Sequence, residues 1–144
     1  LLLTIERVLL LKGIDFFATT ADAQLAAVAA VLVEEEHAAG TRIIEKGEAG
    51  TSMYILAGGS ARVHDGDVEI VTLKAGQVFG ELSALDPVPR VASVTALEDV
   101  RLLRLEHDAL FELMADHVEV AHGIIRYLVV HYGRRRQGQG GTPS

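Results

Sequence analysis

Apolar positions along the chain change period twice. Over residues 1–33 they recur at helical spacing. Ile5, Val8, Leu9 and Lys12 share one side of a first helix, which Gly13 is expected to end. Asp22 can open a second, alanine-rich helix through Val31, with Leu25, Val28, Ala29 and Leu32 turned inward. Over residues 34–105 short alternating runs are cut by KGEAG, AGGS, DGD and KAGQ, which predicts strands near 42–45, 53–56, 61–64, 68–73, 91–96 and 99–105. Asp65-Gly66-Asp67 is a hairpin signal, because glycine supplies the positive φ of a tight turn. Helical spacing returns over 106–136, with Ala109, Leu110, Leu113 and Met114 on one face. A last helix is expected from about 118 to 136, striped by Ile124, Ile125, Leu128 and Tyr132. Residues 137–144, QGQGGTPS, read as a flexible tail. Helices flanking a zone of short strands predict an α+β fold built on a sandwich or jelly-roll barrel.

At 144 residues the chain fits one domain with a real core. Its net charge of −7 repels phosphate backbones, so no nucleic-acid contact is expected from it. The absence of cysteine removes disulfides, thiolate metal sites and cysteine nucleophiles together and agrees with a cytoplasmic setting. The N-terminal apolar runs are interrupted by Glu6, Arg7 and Lys12. They are too short for a signal peptide, which needs about seven continuous apolar residues, or a membrane span, which needs about twenty. A start at Leu1, already in a helical pattern, suggests a piece of a longer protein, in which this would be a cytosolic part even if the whole is membrane-attached.

One stretch departs from strand grammar: FGELSALDPVPRVASV, residues 79–94. A strand ends at Phe79, and Gly80 lets the backbone turn and approach a ligand closely. Glu81 to Leu85 can form one helical turn with free N–H groups. Pro87 and Pro89 stiffen the return, and Arg90 arrives just before the next strand. Backbone donors, a guanidinium and a carboxylate thus share one loop. That set suits a ligand with a phosphate and a sugar hydroxyl pair, arginine taking the former and glutamate the latter.

This stretch resembles the phosphate-binding cassette of the cyclic-nucleotide-binding domain family, F-G-E-L-A/S-L followed by P-R-x-A-T/S-V, with Glu81 and Arg90 at the family's spacing. Gly47, Gly50, Tyr54, Gly59 and Gly76 fall where the family has turn glycines and a strand tyrosine. The resemblance implies an eight-stranded antiparallel β jelly-roll barrel of the catabolite-activator type, with N-terminal helices, a short cassette helix and two C-terminal helices. It further implies that Glu81 binds the ribose 2′-hydroxyl and Arg90 the cyclic phosphate, while Gly80, Leu82, Ser83 and Val91 complete the cradle. The last helix would be a lid closing on the base through Ile124, Tyr127 and His131, and so controlling an attached effector. Val91 has no hydroxyl where members preferring cGMP often carry threonine, which leans towards cAMP over cGMP. Ala84 stands where a larger aliphatic residue is usual. Implied partners are the cyclic nucleotide, an effector domain N-terminal in the full-length protein and, as an option, a second copy of the chain.

Blander readings compete. Glu81 and Arg90 can be an ordinary surface ion pair, and Arg90 is expected to be hydrated without a ligand. The fold can also persist without binding, as a protein-interaction or dimerisation module. Neither enzymatic activity nor a cofactor is expected. The six histidines contain no H-x-H pair and no i, i+4 chelate, so no metal is expected. Arg134-Arg135-Arg136 reads as a solvated helix end, with weak contact to an acidic partner or anionic membrane as the alternative.

Overall fold

A computed structural model describes residues 1–133 of the chain. The arginine cluster at 134–136, the tail at 137–144 and the end of the expected last helix lie outside the described residues. Two helices, α1 (Thr4–Lys12) and α2 (Asp22–Val31), flank a 3-10 turn, Asp15–Phe17. Strands β1 (Val33–His37), β2 (Arg42–Ile44), β3 (Ala49–Gly50), β4 (Ser52–Gly58), β5 (Ser60–Asp65), β6 (Val68–Lys74) and β7 (Val78–Phe79) follow. A short helix α3 (Glu81–Leu85) precedes β8 (Val88–Pro89), β9 (Ser93–Ala96) and β10 (Val100–Glu106). Helices α4 (His107–Asp116) and α5 (Val118–Leu128) and a π-helical turn, Val129–Gly133, complete the described chain.

Two antiparallel four-stranded sheets, ordered β1-β10-β4-β7 and β2-β9-β5-β6, supply the eight strands of the expected jelly roll. A two-stranded ribbon, β3-β8, is added to them. Gly66 takes a φ of 59° in the β5–β6 turn, where the hairpin was expected. One core lies between the helices and the sheet of β4 and β10, with Phe16, Phe17, Leu25, Met53, Leu103 and Leu110 among its buried members. A second lies between the two sheets around Leu56, Phe79, Val94 and Leu102.

Three features correct the sequence reading. Strand β1 begins at Val33, at the start of the zone expected to hold strands but ahead of the first strand expected near 42–45, because its run of Glu34, Glu35 and Glu36 carries no strand signal. These carboxylates are tolerated because arginines face them: Arg7 and Arg101 approach Glu34, Arg104 lies 2.6 Å from Glu35, and Arg101 lies 2.8 Å from Glu36. On α1 the buried face is Val8 and Leu11, while Ile5 and Leu9 face outward. On α5 the buried face is Val120, Gly123 and Ile124, and Ile125 is exposed. Among the described residues no helix is long and apolar enough to cross a membrane.

Candidate functional site

Strand β7 ends at Phe79, whose ring stacks on that of Tyr54 at 5.1 Å, and the chain turns at once. Gly80 holds a left-handed φ of 73° and caps α3, its carbonyl accepting the Ser83 N–H at 3.1 Å. That conformation is open to glycine and strained for other residues. After α3 the ribbon closes the loop, pairing Gly50 with Val88 and Ala49 with Pro89. The main chain of Arg90 is clamped on both sides: its N–H donates to the Glu48 carbonyl and its carbonyl accepts the Gly47 N–H, each at 2.8 Å.

From this clamp the Arg90 side chain threads between two glycines. A Cβ on Gly50 would stand 2.3 Å from Arg90 Nε, and one on Gly80 would stand 2.5 Å from Nη1. Nη2 donates to the Ser52 carbonyl at 2.9 Å. Nη1 is buried and has no hydrogen-bond partner among the described residues. Burial pulls the guanidinium below its ordinary pKa, against the opposing influence of Tyr54 and Glu106. Arg90 is therefore not the freely hydrated side chain expected from the sequence. A guanidinium stays charged under all ordinary conditions, and a buried donor left unmatched is costly.

Gly80, Glu81, Leu82, Ser83, Arg90 and Val91 all line one cavity of about 230 Å³, walled by Ile44, Val63, Phe79 and Val94. Ser83 is buried, Leu82 is partly exposed and Val91 stands at the rim, 86 % exposed. The three residues expected on the lid do not join them. Ile124 belongs to the helical core. Tyr127 packs edge-on against Phe16 with ring centres 5.0 Å apart. His131 Nε2 lies 3.5 Å from the Asp15 carboxylate. Tyr127 and Glu81 meet only along a neighbouring cleft of about 360 Å³, so Glu81 stands on the wall between the two spaces.

Behind Arg90 lies a polar joint that the motif does not contain. Glu106 ends β10 opposite Ser52 and accepts Ser52 Oγ–H at 2.7 Å and Thr51 Oγ1–H at 3.1 Å. It also pairs with Arg104. Burial pushes the Glu106 carboxyl up, but the Ser52 and Thr51 hydrogen bonds and the Arg104 charge outweigh it, leaving the pKa lowered. A lowered folded-state pKa contributes stability above the unfolded value, about 4.3, that is lost as pH falls through the folded one. Glu106→Gln should therefore melt below the parent near neutral pH, with the gap closing below about pH 4. A gap that persists unchanged to about pH 3 in a melting series would remove Glu106 from this role. The sequence signal for the joint, polar residues at the facing ends of two apolar strands, is visible only once their register is known.

His64, buried in β5, is a satisfied core histidine: Nδ1–H donates to the Gly66 carbonyl at 2.8 Å and Nε2 meets Thr95 Oγ1 at 2.7 Å. Among the described residues no group of three or more histidines, aspartates and glutamates is placed to hold a metal ion.

The profile of a family described as "Cyclic nucleotide-binding domain" matches residues 34–117. A cAMP-dependent protein kinase regulatory subunit from Hypocrea atroviridis is 37 % identical over 102 residues, 71 % of this chain and 22 % of the relative. A cGMP-dependent protein kinase from Toxoplasma gondii is 32 % identical over 120 residues, 83 % of this chain and 12 % of the relative. The chain thus spans well under half the length of these relatives. Among solved structures, the N-terminal domain of a transcriptional regulator from Streptomyces coelicolor A3(2) superposes with a TM-score of 0.86 at 28 % identity, covering 90 % of this chain and 93 % of that one.

Proposed function

The chain belongs to the cyclic nucleotide-binding domain family, and on that premise we propose that its cassette cavity takes cAMP, Arg90 meeting the cyclic phosphate and Glu81 the ribose. It is a regulatory binding domain, not an enzyme. The observation that carries the proposal is the buried, unmatched Nη1 of Arg90, held between two glycines at the wall of that cavity. A phosphate oxygen would supply the acceptor that the protein withholds, through a charge-assisted hydrogen bond. Gly80, Leu82, Ser83 and Val91 line the same space and would complete the cradle.

Preference for cAMP over cGMP rests on Val91, which offers no hydroxyl to a guanine. The kinds of relative do not decide it, since one is cAMP-dependent and another cGMP-dependent. Ile124, Tyr127 and His131 would reach the base only after α5 or the turn following it moves, because none of them lines the cavity. Such a movement is a population shift, driven by the difference in nucleotide affinity between two arrangements. Its output would be an effector elsewhere in a longer cytoplasmic protein. In the Streptomyces coelicolor regulator the matching domain is N-terminal.

Thermal melting with and without nucleotide tests the proposal. At a hundredfold excess over Kd, a ligand adds about 2.7 kcal/mol, which for a domain of this size raises Tm by roughly 5–11 °C. No rise with millimolar cAMP or cGMP would replace the sensor with a non-binding interaction or dimerisation module. Calorimetry showing cGMP bound more than about tenfold tighter, a difference of about 1.4 kcal/mol, would reverse the base assignment.

A further inference from the structure

We propose that His107 is the positioning residue that ties the cassette helix to the C-terminal helices, so that nucleotide capture by the cassette is transmitted to α4 and α5. The inference rests on the cyclic-nucleotide reading of the cavity and names the joint through which that site acts.

Helix α3 is a little more than one turn long, and the carbonyls of its last turn have no partner within it. Ala84 is fully buried, so its carbonyl must be matched by the protein. The match is His107 Nδ1, at 2.8 Å. A carbonyl only accepts, so Nδ1 carries the proton and donates. His107 is also the first residue of α4, and its ring packs on that of Phe111, 4.3 Å away between centres and one turn further along the helix.

The main chain of His107 is held as firmly as its ring. Its N–H donates to the Thr51 carbonyl at 2.8 Å, and the next carbonyl, that of Ser52, holds Arg90. Consecutive carbonyls at the start of β4 therefore anchor the cassette arginine and the first residue of α4. Glu106 binds the hydroxyls of the same two residues and fixes the junction. A displacement of α3 relative to β4 must then be absorbed by stretching the His107–Ala84 bond or by moving the first turn of α4. Apolar contact also ties α3 to the helical core, through Ala84 and Leu85, and it slides more readily than a directed hydrogen bond. Helix α4 passes the movement on through the core it shares with α5, where Leu110 and Leu113 meet Val120 and Ile124.

Two substitutions separate donor from ring: His107→Asn keeps an N–H near Nδ1 without the ring, and His107→Phe keeps a ring without the donor. The whole 144-residue chain is used, with calorimetry for cAMP affinity and amide hydrogen exchange with and without saturating cAMP. Both variants should bind cAMP within about fivefold of the parent and protect residues 79–94, because neither change touches the phosphate cradle. The cAMP-dependent exchange change over residues 118–128 should survive in His107→Asn and fall at least about threefold in His107→Phe. If the phenylalanine does not fit, His107→Leu removes the donor in a smaller volume. Full transmission without the donor, or loss in His107→Asn equal to that in His107→Phe, overturns the inference. A parent that binds cAMP with no response in α5 also overturns it and leaves the binding reading standing. A parent that binds neither cAMP nor cGMP defeats the binding reading and this inference together.

Discussion

Arg90→Ala should weaken cAMP binding about a hundredfold or more, because hydrogen bonds to charged groups contribute roughly 1.5–3 kcal/mol each and this side chain offers two nitrogens. The folded protein already bears the cost of burying the guanidinium beside Ser52 and between Gly50 and Gly80. A cyclic phosphate would collect the return on that preorganisation. Ligand-free stability should change far less, by about 1 kcal/mol, since the alanine loses one bond to Ser52 but also removes an unmatched buried donor. Glu81→Ala should follow at about tenfold, losing a ribose hydroxyl while sparing the phosphate cradle. Calorimetry on the three proteins, with urea melts of the unliganded forms, checks the order. A loss below about tenfold for Arg90→Ala would place the phosphate elsewhere.

The second large effect is expected from Gly50→Ala, although Gly50 does not line the cassette cavity. An added Cβ would stand 2.3 Å from Arg90 Nε and 2.5 Å from its Cζ, so the guanidinium has to leave its slot. Gly50 does not hold a positive φ, and alanine can keep the ribbon pairing with Val88. The fold should survive within about 1 kcal/mol while affinity falls at least about tenfold, towards the level of Arg90→Ala. In an Arg90→Ala background the same change should cost little further, because both act through one side chain. Additive losses in that double-mutant cycle would show that Gly50 matters by another route. Gly80→Ala is the instructive contrast. Its φ of 73° and a Ser52 carbonyl 3.1 Å from the new Cβ bring backbone strain, so stability and binding should fall together.

The cassette was legible because its parts are contiguous: Gly80, Glu81, Pro89 and Arg90 occur within one loop and line one cavity. Helix α2 was legible for a similar reason, a clean period with Leu25, Val28 and Ala29 on the face that is buried. Strand β1 was not, since Glu34, Glu35 and Glu36 become strand-compatible only through arginines at positions 7, 101 and 104. Phe16 and Phe17 fill the helical core from a 3-10 turn too short to have a period. Ile5, Leu9 and Ile125 sit at plausible inward positions yet face out, because period does not say which side of an apolar helix meets the core. Ser52, Glu106 and His107 escaped notice because the contacts that make the joint span long stretches of sequence, 54 residues from Ser52 to Glu106 and 23 from Ala84 to His107.

The acid run of β1 has a bearing on how copies of this domain treat one another. Both β1 and β6 end a sheet and leave backbone donors and acceptors unpaired on one side. On β1 the three consecutive carboxylates are already matched by Arg7, Arg101 and Arg104, so a second copy brought alongside meets an ion-paired, charged border and not an apolar one. On β6 the exposed positions include Val68, Ile70 and Val71, which carry no charge. Protection there falls to the register shift opposite Val63 and His64, which puts Ile70 out of step with its neighbours and twists the strand away from a flat partner. One border is thus guarded by paired charges, whose hold weakens in salt, while the other is guarded by shape and does not depend on it.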